Sequence, residues 1–125
     1  MNDDPLFNLR EPIRLEKPWG YELIFAHTAR YVGKVLHVDQ GETLSLQYHE
    51  MKEETLFVIQ GRVRLTIRSA EVEKELEMSV GDAFHIPPGL IHRIEAIEDA
   101  DIVEVSTPEL EDVVRLEDRY GRVPT

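Results

Sequence analysis

Side chains that could hold a metal ion occur at two places in this 125-residue chain. Gln47, His49 and Glu54 lie within eight residues of one another, and His92 follows 38 residues after Glu54. Two imidazoles, a carboxylate and an amide oxygen suit one divalent ion: Zn, Mn, Fe, Co or Ni. Four protein ligands on a six-coordinate ion leave two positions open, enough to hold two neighbouring oxygens of a substrate.

A β-strand over residues 43–49 would position the first two ligands. Side chains two residues apart in a strand share a face, so Gln47 and His49 point the same way. The opposite face carries apolar side chains: Leu44, Leu46 and Tyr48. If the ligands face a barrel interior, this apolar face points outward, and an exposed patch of that kind needs a cover. We predict that the N-terminal arm and a second subunit supply it, in a homodimer.

The other two ligands are expected at the starts of later strands. A tight connection after His49 would return the chain antiparallel and bring Glu54 beside it. His92 comes just after the turn sequence Pro87-Pro88-Gly89. Four side chains that converge from these separate segments would form the predicted metal site.

The pattern of the whole chain is typical of an all-β sandwich or barrel. Short apolar runs alternate with turn signals, and the clearest strand is 62–68, where apolar and polar residues alternate. Three prolines within residues 1–18 indicate an extended N-terminal arm, and we assign residues 19–125 to one barrel domain that ends in a short tail. Only the acidic segment 109–118 could form a helix.

Composition excludes several classes of function. The formal net charge is −11, so phosphate backbones are repelled and we expect no nucleic-acid partner. The chain contains no cysteine, which excludes disulfides and thiolate metal sites and is compatible with a reducing compartment. Neither a secretory signal nor an apolar run of the roughly 20 residues that span a bilayer is present. We therefore expect a cytoplasmic protein without a membrane partner.

The spacing of the candidate ligands resembles the two sequence motifs of the cupin superfamily. Gly41, Gln47, His49, Glu54 and Gly61 follow the order and intervals of the first motif. The second motif is matched in one further stretch that starts at Gly81, contains Pro87-Pro88-Gly89 and ends at His92. The resemblance implies a jelly-roll barrel, a double-stranded β-helix. Gln47 departs from the histidine that many cupins have there, and Ala96 replaces an expected asparagine.

A closer resemblance extends from Pro18 to Arg122. A Gln-x-His pair followed by Glu and His is similar to the metal set of zinc-dependent mannose-6-phosphate isomerases. Further stretches resemble the C-terminal cupin of type II mannose-6-phosphate isomerases, which in bacteria is often fused to a GDP-mannose pyrophosphorylase: Pro18-Trp19-Gly20, 44–49, 87–89, 92–95, 112–115 and 118–122. That family tends to have more histidines after His49, where this chain has Glu50 and Met51.

The resemblance implies metal-dependent aldose–ketose isomerisation of a sugar phosphate. A carboxylate or amine must then move a proton between neighbouring carbons. The candidates for this catalytic role are Glu95, Glu104 and Lys52. The candidates for binding the phosphate are Lys34, Arg93 and Arg122.

Two other functions fit the same residues. A small cupin could bind a sugar or sugar nucleotide without converting it, since one fold carries many functions. Two histidines and one carboxylate could also hold Fe(II) in a dioxygenase, although Gln47 as a fourth ligand argues mildly against that.

Overall fold

The computed structural model describes residues 9–123, which form eleven β-strands and no helix. The strands are β1 (Ile13–Lys17), β2 (Gly20–His27), β3 (Val32–Val38), β4 (Leu46–Tyr48), β5 (Glu54–Gln60), β6 (Arg62–Arg68), β7 (Glu73–Ser79), β8 (Ala83–Ile86), β9 (Ile91–Ala96), β10 (Ala100–Ser106) and β11 (Val114–Glu117). Residues 9–123 therefore contain no apolar helix that could cross a membrane.

The strands form two sheets that face each other. Sheet A has the order β1-β2-β3-β10-β5-β8, and sheet B has the order β11-β4-β9-β6-β7. Every pairing between neighbouring strands is antiparallel. The predicted all-β class is confirmed by this architecture of two facing antiparallel sheets.

Alternation along the strands decides which side chains fill the space between the sheets. In β10, Ile102 and Glu104 are buried while Val103 and Val105 point outward. In β6, Val63 and Leu65 are buried between the sheets, as the period of two predicts. The buried apolar core combines residues of both sheets: Trp19, Leu36, Val38, Leu56, Val58, Val63, Leu65, Met78, Ile86, Ile94, Ala96, Ala100 and Ile102.

Gly61 makes the turn from sheet A to sheet B. Its φ of 77° lies in the left-handed region. A Cβ atom there would sit 2.1 Å from the carbonyl oxygen of Asp99. Only glycine fits this position, which explains why a glycine is the last residue of the first sequence motif.

Two terminal strands were not predicted. The last part of the arm assigned to residues 1–18 forms β1, which pairs along its whole length with β2, while residues 1–8 lie outside the described residues. The helix considered for 109–118 is wrong, because 109–113 is irregular and 114–117 is β11, paired with β4. An acidic composition alone did not reveal that this segment completes a sheet edge.

The predicted exposed face of strand 43–49 is also wrong. Leu46 is buried at 2% exposure, and Leu44 packs against the core. The regular strand is only β4, so the alternation assumed over 43–49 does not hold at Leu44. The apolar patch from which the homodimer was predicted is therefore absent.

The exposed apolar surface lies elsewhere, on the outer face of sheet A. Phe25, Phe57 and Val105 are 52%, 42% and 51% exposed. The outer face of sheet B, in contrast, carries cross-strand ion pairs such as Arg62–Glu77 at 2.6 Å and Arg68–Glu73 at 3.3 Å. The two outer faces thus differ in character, and only that of sheet A resembles an unpaired contact surface.

The homodimer stays a prediction, now placed on the outer face of sheet A. Six strands of four to eight residues give a footprint of roughly 25 by 20 Å, of the same order as the ~800 Å² per partner of a standard interface. We expect sedimentation to give twice the mass of one chain at micromolar concentration, and Phe57→Glu to give a monomer. Val80→Glu, at an exposed turn residue, is the matched control. A monomeric wild-type chain would contradict the prediction.

Candidate metal centre

Both sheets contribute to the predicted ligand set. Gln47 on β4 pairs directly with His92 on β9, so both side chains belong to sheet B and face inward. His49 follows β4, and Glu54 opens β5 in sheet A. The expected antiparallel pairing of Glu54 with His49 is wrong, because the chain crosses between the sheets after His49. The two side chains meet across the barrel interior.

The two imidazoles converge on one carboxylate oxygen. Glu54 Oε1 lies 3.4 Å from His49 Nε2 and 3.3 Å from His92 Nε2. All three residues are buried, and one ligand atom from each lies within 4.8 Å of the others. This convergence of three buried ligand atoms is the geometry that a divalent ion requires.

The other nitrogen of each imidazole is hydrogen-bonded to a backbone carbonyl. His49 Nδ1 lies 2.5 Å from the carbonyl oxygen of Asp112, and His92 Nδ1 lies 2.9 Å from that of Leu90. A carbonyl only accepts, so each Nδ1 donates a proton, and in the neutral imidazole Nε2 is then the nitrogen with the lone pair. Backbone acceptors of this kind fix the tautomer that binds metal.

Unused bonding capacity at the centre fits a metal ion. His49 Nε2 is buried and has no hydrogen-bond partner among the described residues. Gln47 Oε1 accepts a hydrogen bond from Ser45 Oγ at 2.6 Å and retains a second lone pair. The donor set of two neutral imidazole nitrogens, a carboxylate and an amide oxygen therefore fits a borderline divalent ion.

The electrostatics favour an ionised Glu54. Burial opposes its charge, but the adjacent His49 and His92 side chains and the charge of Lys52 outweigh burial and hold the pKa of Glu54 well below its usual range. The carboxylate is thus ready to act as a metal ligand, which must be deprotonated.

Asp112 anchors the loop between the ligands. Its carboxylate accepts hydrogen bonds from the backbone N–H groups of Glu50, Met51 and Lys52 at 3.0, 2.7 and 2.8 Å. Those bonds lower the pKa of Asp112. Together with the carbonyl bond to His49, they fix the crossing that delivers His49 and Glu54 to the same point.

A cavity of about 310 Å³ opens beside the ligands. Gln47 and His49 form part of its wall. Its cationic lining residues outnumber its acidic ones: Lys17, Lys34, Lys52, Arg115 and Arg122 against Glu22, Glu104 and Glu111. In a chain of net charge −11, this concentration of cationic side chains makes the cavity a suitable place for an anion.

A buried chain of alternating charges leads from the ligands into the cavity. Lys52 Nζ lies 3.1 Å from Glu54 Oε2 and 3.0 Å from Glu104 Oε2. Lys34 Nζ lies 3.5 Å from the same Glu104 oxygen and 3.1 Å from Glu22 Oε1. Each buried charge thus has an opposite charge beside it, as burial requires.

The two central members of this chain have shifted pKa values. Burial lowers the pKa of Lys52, but Glu104 and Glu54 outweigh burial, and the net shift is upward. Burial and the charge of Glu54 raise the pKa of Glu104, although Lys34 and Lys52 oppose that shift. Lys52 is therefore a firmly protonated cation, and Glu104 is the carboxyl group with the higher affinity for a proton.

Two predicted site residues lie away from the cavity, which corrects their expected placement. Arg93 and Glu95 alternate with inward-facing His92 and Ile94 on β9, so they occupy the outer face of sheet B. There Arg93 contacts Glu117 at 3.4 Å, and Glu95 pairs with a strand neighbour. The period of two that placed His92 inside necessarily placed these neighbours outside.

Arg122, which the sequence predicted as a phosphate ligand, lines the cavity. Its Nε and Nη2 atoms donate to the two carboxylate oxygens of Asp118 at 2.8 and 3.0 Å, and its backbone N–H also donates to Asp118 at 2.7 Å. The Asp118 side chain is buried, and these bonds lower its pKa. The pair holds the end of the described chain against the barrel.

Sequence reasoning gave no role to three residues at the site: Asp112, Glu22 and Arg115. Asp112 lies about sixty positions from the loop that it anchors. No spacing rule connects such positions, and only the pairing of β11 with β4 brings the segment to the site. The family resemblance of residues 112–115 indicated that this region matters but predicted no contact for it.

A cupin-domain family model matches residues 34–107, well over half of the chain. The chain belongs to the cupin family. Its candidate ligands all fall within that matched region.

Curated relatives confirm the closer resemblance of this cupin. Mannose-1-phosphate guanylyltransferase ManC of Salmonella typhimurium is 40% identical over 113 residues, which is 86% of this chain and 22% of the relative. The Escherichia coli mannose-1-phosphate guanylyltransferase is 36% identical over 86% of this chain and 23% of its own length. The xanthan biosynthesis protein XanB of Xanthomonas campestris is 32% identical over 87% of this chain and 24% of its own length. The cupin thus spans less than a quarter of the length of each.

Solved structures share the fold. KdgF from Halomonas has a TM-score of 0.69 at 23% identity, covering 77% of this cupin and 87% of KdgF. The capsular polysaccharide assembling protein CapF of Staphylococcus aureus has a TM-score of 0.72 at 23% identity over 87% of this cupin and 33% of CapF. At these identities the likeness establishes the barrel alone.

We expect the protein to bind one divalent ion per chain. Loss of a residue that only hydrogen-bonds to a ligand typically weakens metal binding roughly 10–100-fold. Because His92→Ala removes a direct ligand, we expect it to weaken metal binding by more than that. Metal content after dialysis and titration calorimetry would measure the effect. His85→Ala, an exposed histidine on sheet A, is the control. Equal metal binding by wild type and His92→Ala would count against the centre.

Asp118→Asn should have a pH-dependent effect on stability. A carboxyl group whose folded pKa is lowered stabilises the fold above its ordinary pKa of about 3.9 and loses that contribution as pH falls through the folded value. Wild type should therefore unfold at a higher temperature than the variant at pH 7, and the difference should shrink below about pH 4. Thermal unfolding at a series of pH values tests this. The control is Glu71→Gln, at an exposed position, and a difference that does not vary with pH would contradict the expectation.

Proposed function

We propose that this cupin is a metal-dependent isomerase of a sugar phosphate, with aldose–ketose interconversion in the manner of mannose-6-phosphate isomerases. The observation that carries the proposal is one cavity lined both by His49, a member of the His49–Glu54–His92 ligand set, and by the buried Glu104–Lys52 pair. Isomerisation needs both, since charge on two neighbouring oxygens must be stabilised while a proton moves between their carbons.

The ligand set accounts for the first requirement. A divalent ion bound by Gln47, His49, Glu54 and His92 would supply Lewis-acid stabilisation of negative charge on neighbouring oxygens. The backbone hydrogen bonds to both imidazoles orient these ligands before any substrate arrives. The cavity wall at Gln47 and His49 gives a substrate access to the same point.

Glu104 is our choice for the group that moves the proton. Its raised pKa brings it nearer to the range in which a carboxyl group exchanges protons efficiently. Lys52 stays protonated and holds Glu104 at 3.0 Å, so its role is positioning and charge compensation. Glu95 takes no part in the proposal because it faces away from the cavity.

The charge of the cavity supports an anionic substrate. Five cationic side chains line it against three carboxylates. Lys34 and Arg122, both predicted phosphate ligands, are among the five, whereas Arg93 is not. The relatives named for mannose 1-phosphate chemistry support a mannose phosphate as the substrate class, although this chain spans less than a quarter of each.

Conversion of mannose 6-phosphate to fructose 6-phosphate by the metal-loaded protein is the direct test. Glu104→Gln should lower kcat by roughly 10²–10⁴-fold, the usual contribution of a general base. Glu95→Gln removes a carboxylate from the adjacent surface and should leave kcat unchanged. Thermal unfolding and metal content of Glu104→Gln show whether a loss of activity reflects a loss of the fold.

Other outcomes separate the alternatives. Binding of a sugar or sugar nucleotide without turnover, at an intact metal centre, would replace the isomerase with a binding module. Oxygen uptake by the Fe(II) form would favour a dioxygenase. Either result would overturn the proposal.

A further inference from the structure

One cation of the cavity has no opposite charge beside it. Lys34 and Lys52 are paired with buried carboxylates, Lys17 lies 4.0 Å from Glu22, and Arg122 is held by Asp118. Arg115 lines the same cavity, but no carboxylate of residues 9–123 lies within 4.0 Å of its guanidinium nitrogens.

The Arg115 guanidinium also has unused hydrogen-bonding capacity. Its Nε atom is buried and has no partner among the described residues. A buried N–H group without an acceptor is costly, so such groups in folded proteins are normally satisfied by protein, water or ligand. The acidic side chain Glu111 also lines the cavity, but it is exposed and lies beyond ion-pair distance of Arg115.

The register of sheet B places Arg115 in line with the candidate metal ligands. Arg115 on β11 pairs with Gln47 on β4, and Gln47 pairs with His92 on β9. These three residues form one inward-facing row across neighbouring strands. Two strand spacings put the backbone of Arg115 roughly 10 Å from that of His92. A group bound by Arg115 is therefore close to the metal centre without being a ligand of it.

We propose that Arg115 binds the phosphate group of the substrate. This inference rests on the proposed function and deepens it, because it assigns the two ends of one substrate to two points on sheet B. The sugar oxygens face the ligand set, and the phosphate accepts hydrogen bonds from the Arg115 guanidinium. An arginine fork suits a phosphate monoester, since it donates two parallel hydrogen bonds to two oxygens.

The same reasoning ranks the other cations. Lys34 and Lys52 already compensate Glu104, and a phosphate that recruited them would leave that carboxylate unpaired in the interior. Arg122 donates its Nε–H and one Nη2–H to Asp118, so its charge is already compensated by a buried carboxylate. Arg115 is the cavity cation that gains a partner without taking one from another group.

Binding by the metal-loaded full chain tests the proposal. Titration calorimetry would compare mannose 6-phosphate, mannose and inorganic phosphate for wild type, Arg115→Met and Arg93→Met. Arg93 is a matched control, because it lies on the same sheet, has the same charge and also has a buried Nε without a partner, yet faces outward. Thermal unfolding and metal content would be measured for each variant.

Arg115→Met should weaken the binding of mannose 6-phosphate and of inorganic phosphate at least tenfold and leave the binding of mannose unchanged. Arg93→Met should bind all three within about twofold of wild type. Arg115→Lys, which keeps the charge and loses the fork, should give an intermediate affinity for mannose 6-phosphate. It also serves as the test if Arg115→Met does not fold.

Three results would overturn the inference. The first is phosphate binding that is unchanged in Arg115→Met. The second is an equal loss of phosphate binding in Arg93→Met, which would indicate an effect of long-range charge alone, and the third is a wild-type protein that binds neither phosphate compound. The readout is separate from catalysis. Phosphate binding that depends on Arg115 in a protein without turnover would retain the anion site and reject the isomerase. Turnover with a KM that does not change in Arg115→Met would support the isomerase and reject Arg115 as the phosphate ligand.

Discussion

The contact of one buried carboxylate with two imidazoles is the constraint on which the site depends. Glu54 belongs to sheet A, whereas His92 belongs to sheet B and His49 follows a strand of sheet B. Their convergence requires both sheets to be in register and the crossing between them to have a fixed length. Removing one member of such a buried charged group typically costs about 3–5 kcal/mol, because its partners remain uncompensated.

Charge compensation then spreads from Glu54 through the barrel. Glu54 is balanced by Lys52, Lys52 by Glu104, and Glu104 also by Lys34. Buried ion pairs contribute little net stability, since desolvation offsets most of the attraction. Their presence in the interior of a small domain therefore points to chemistry. The same chain sets the pKa values of Lys52 and Glu104 in opposite roles, a fixed cation and a group that can exchange a proton.

The C-terminal segment completes the site, although the family match ends before it. Asp112 holds the loop between the ligands, Arg115 lies in the row of Gln47 and His92, and Asp118 presents Arg122 to the cavity. Residues 109–123 thus form one wall of the cavity and one edge of sheet B. This segment contributes Arg115 and Arg122, two of the five cationic side chains that line the cavity.

Local sequence patterns were sufficient for much of the fold. Alternation over residues 62–68 predicted β6 and its buried face, because side chains of a strand alternate between two environments. The motif intervals indicated the candidate ligands, because these intervals reflect the number of residues that each turn and strand requires. Where regular alternation failed, as at Leu44, the prediction of an exposed face failed with it. The same period also explains why Arg93 and Glu95 were wrongly placed at the site. Their side-chain types suited the predicted chemistry, but they alternate with His92 and therefore face outward.

The sequence by itself determined the all-β class, the cupin motifs and the residue types of the candidate metal centre, since these follow from local periodicity and short spacing. Only the tertiary structure decided which sheet each ligand belongs to, that the outer face of sheet A carries the exposed apolar surface, and which cation of the cavity lacks a partner. These properties depend on pairing between segments as far apart as Gln47 and Arg115. Contacts at that separation are fixed by packing and register, which no local pattern encodes.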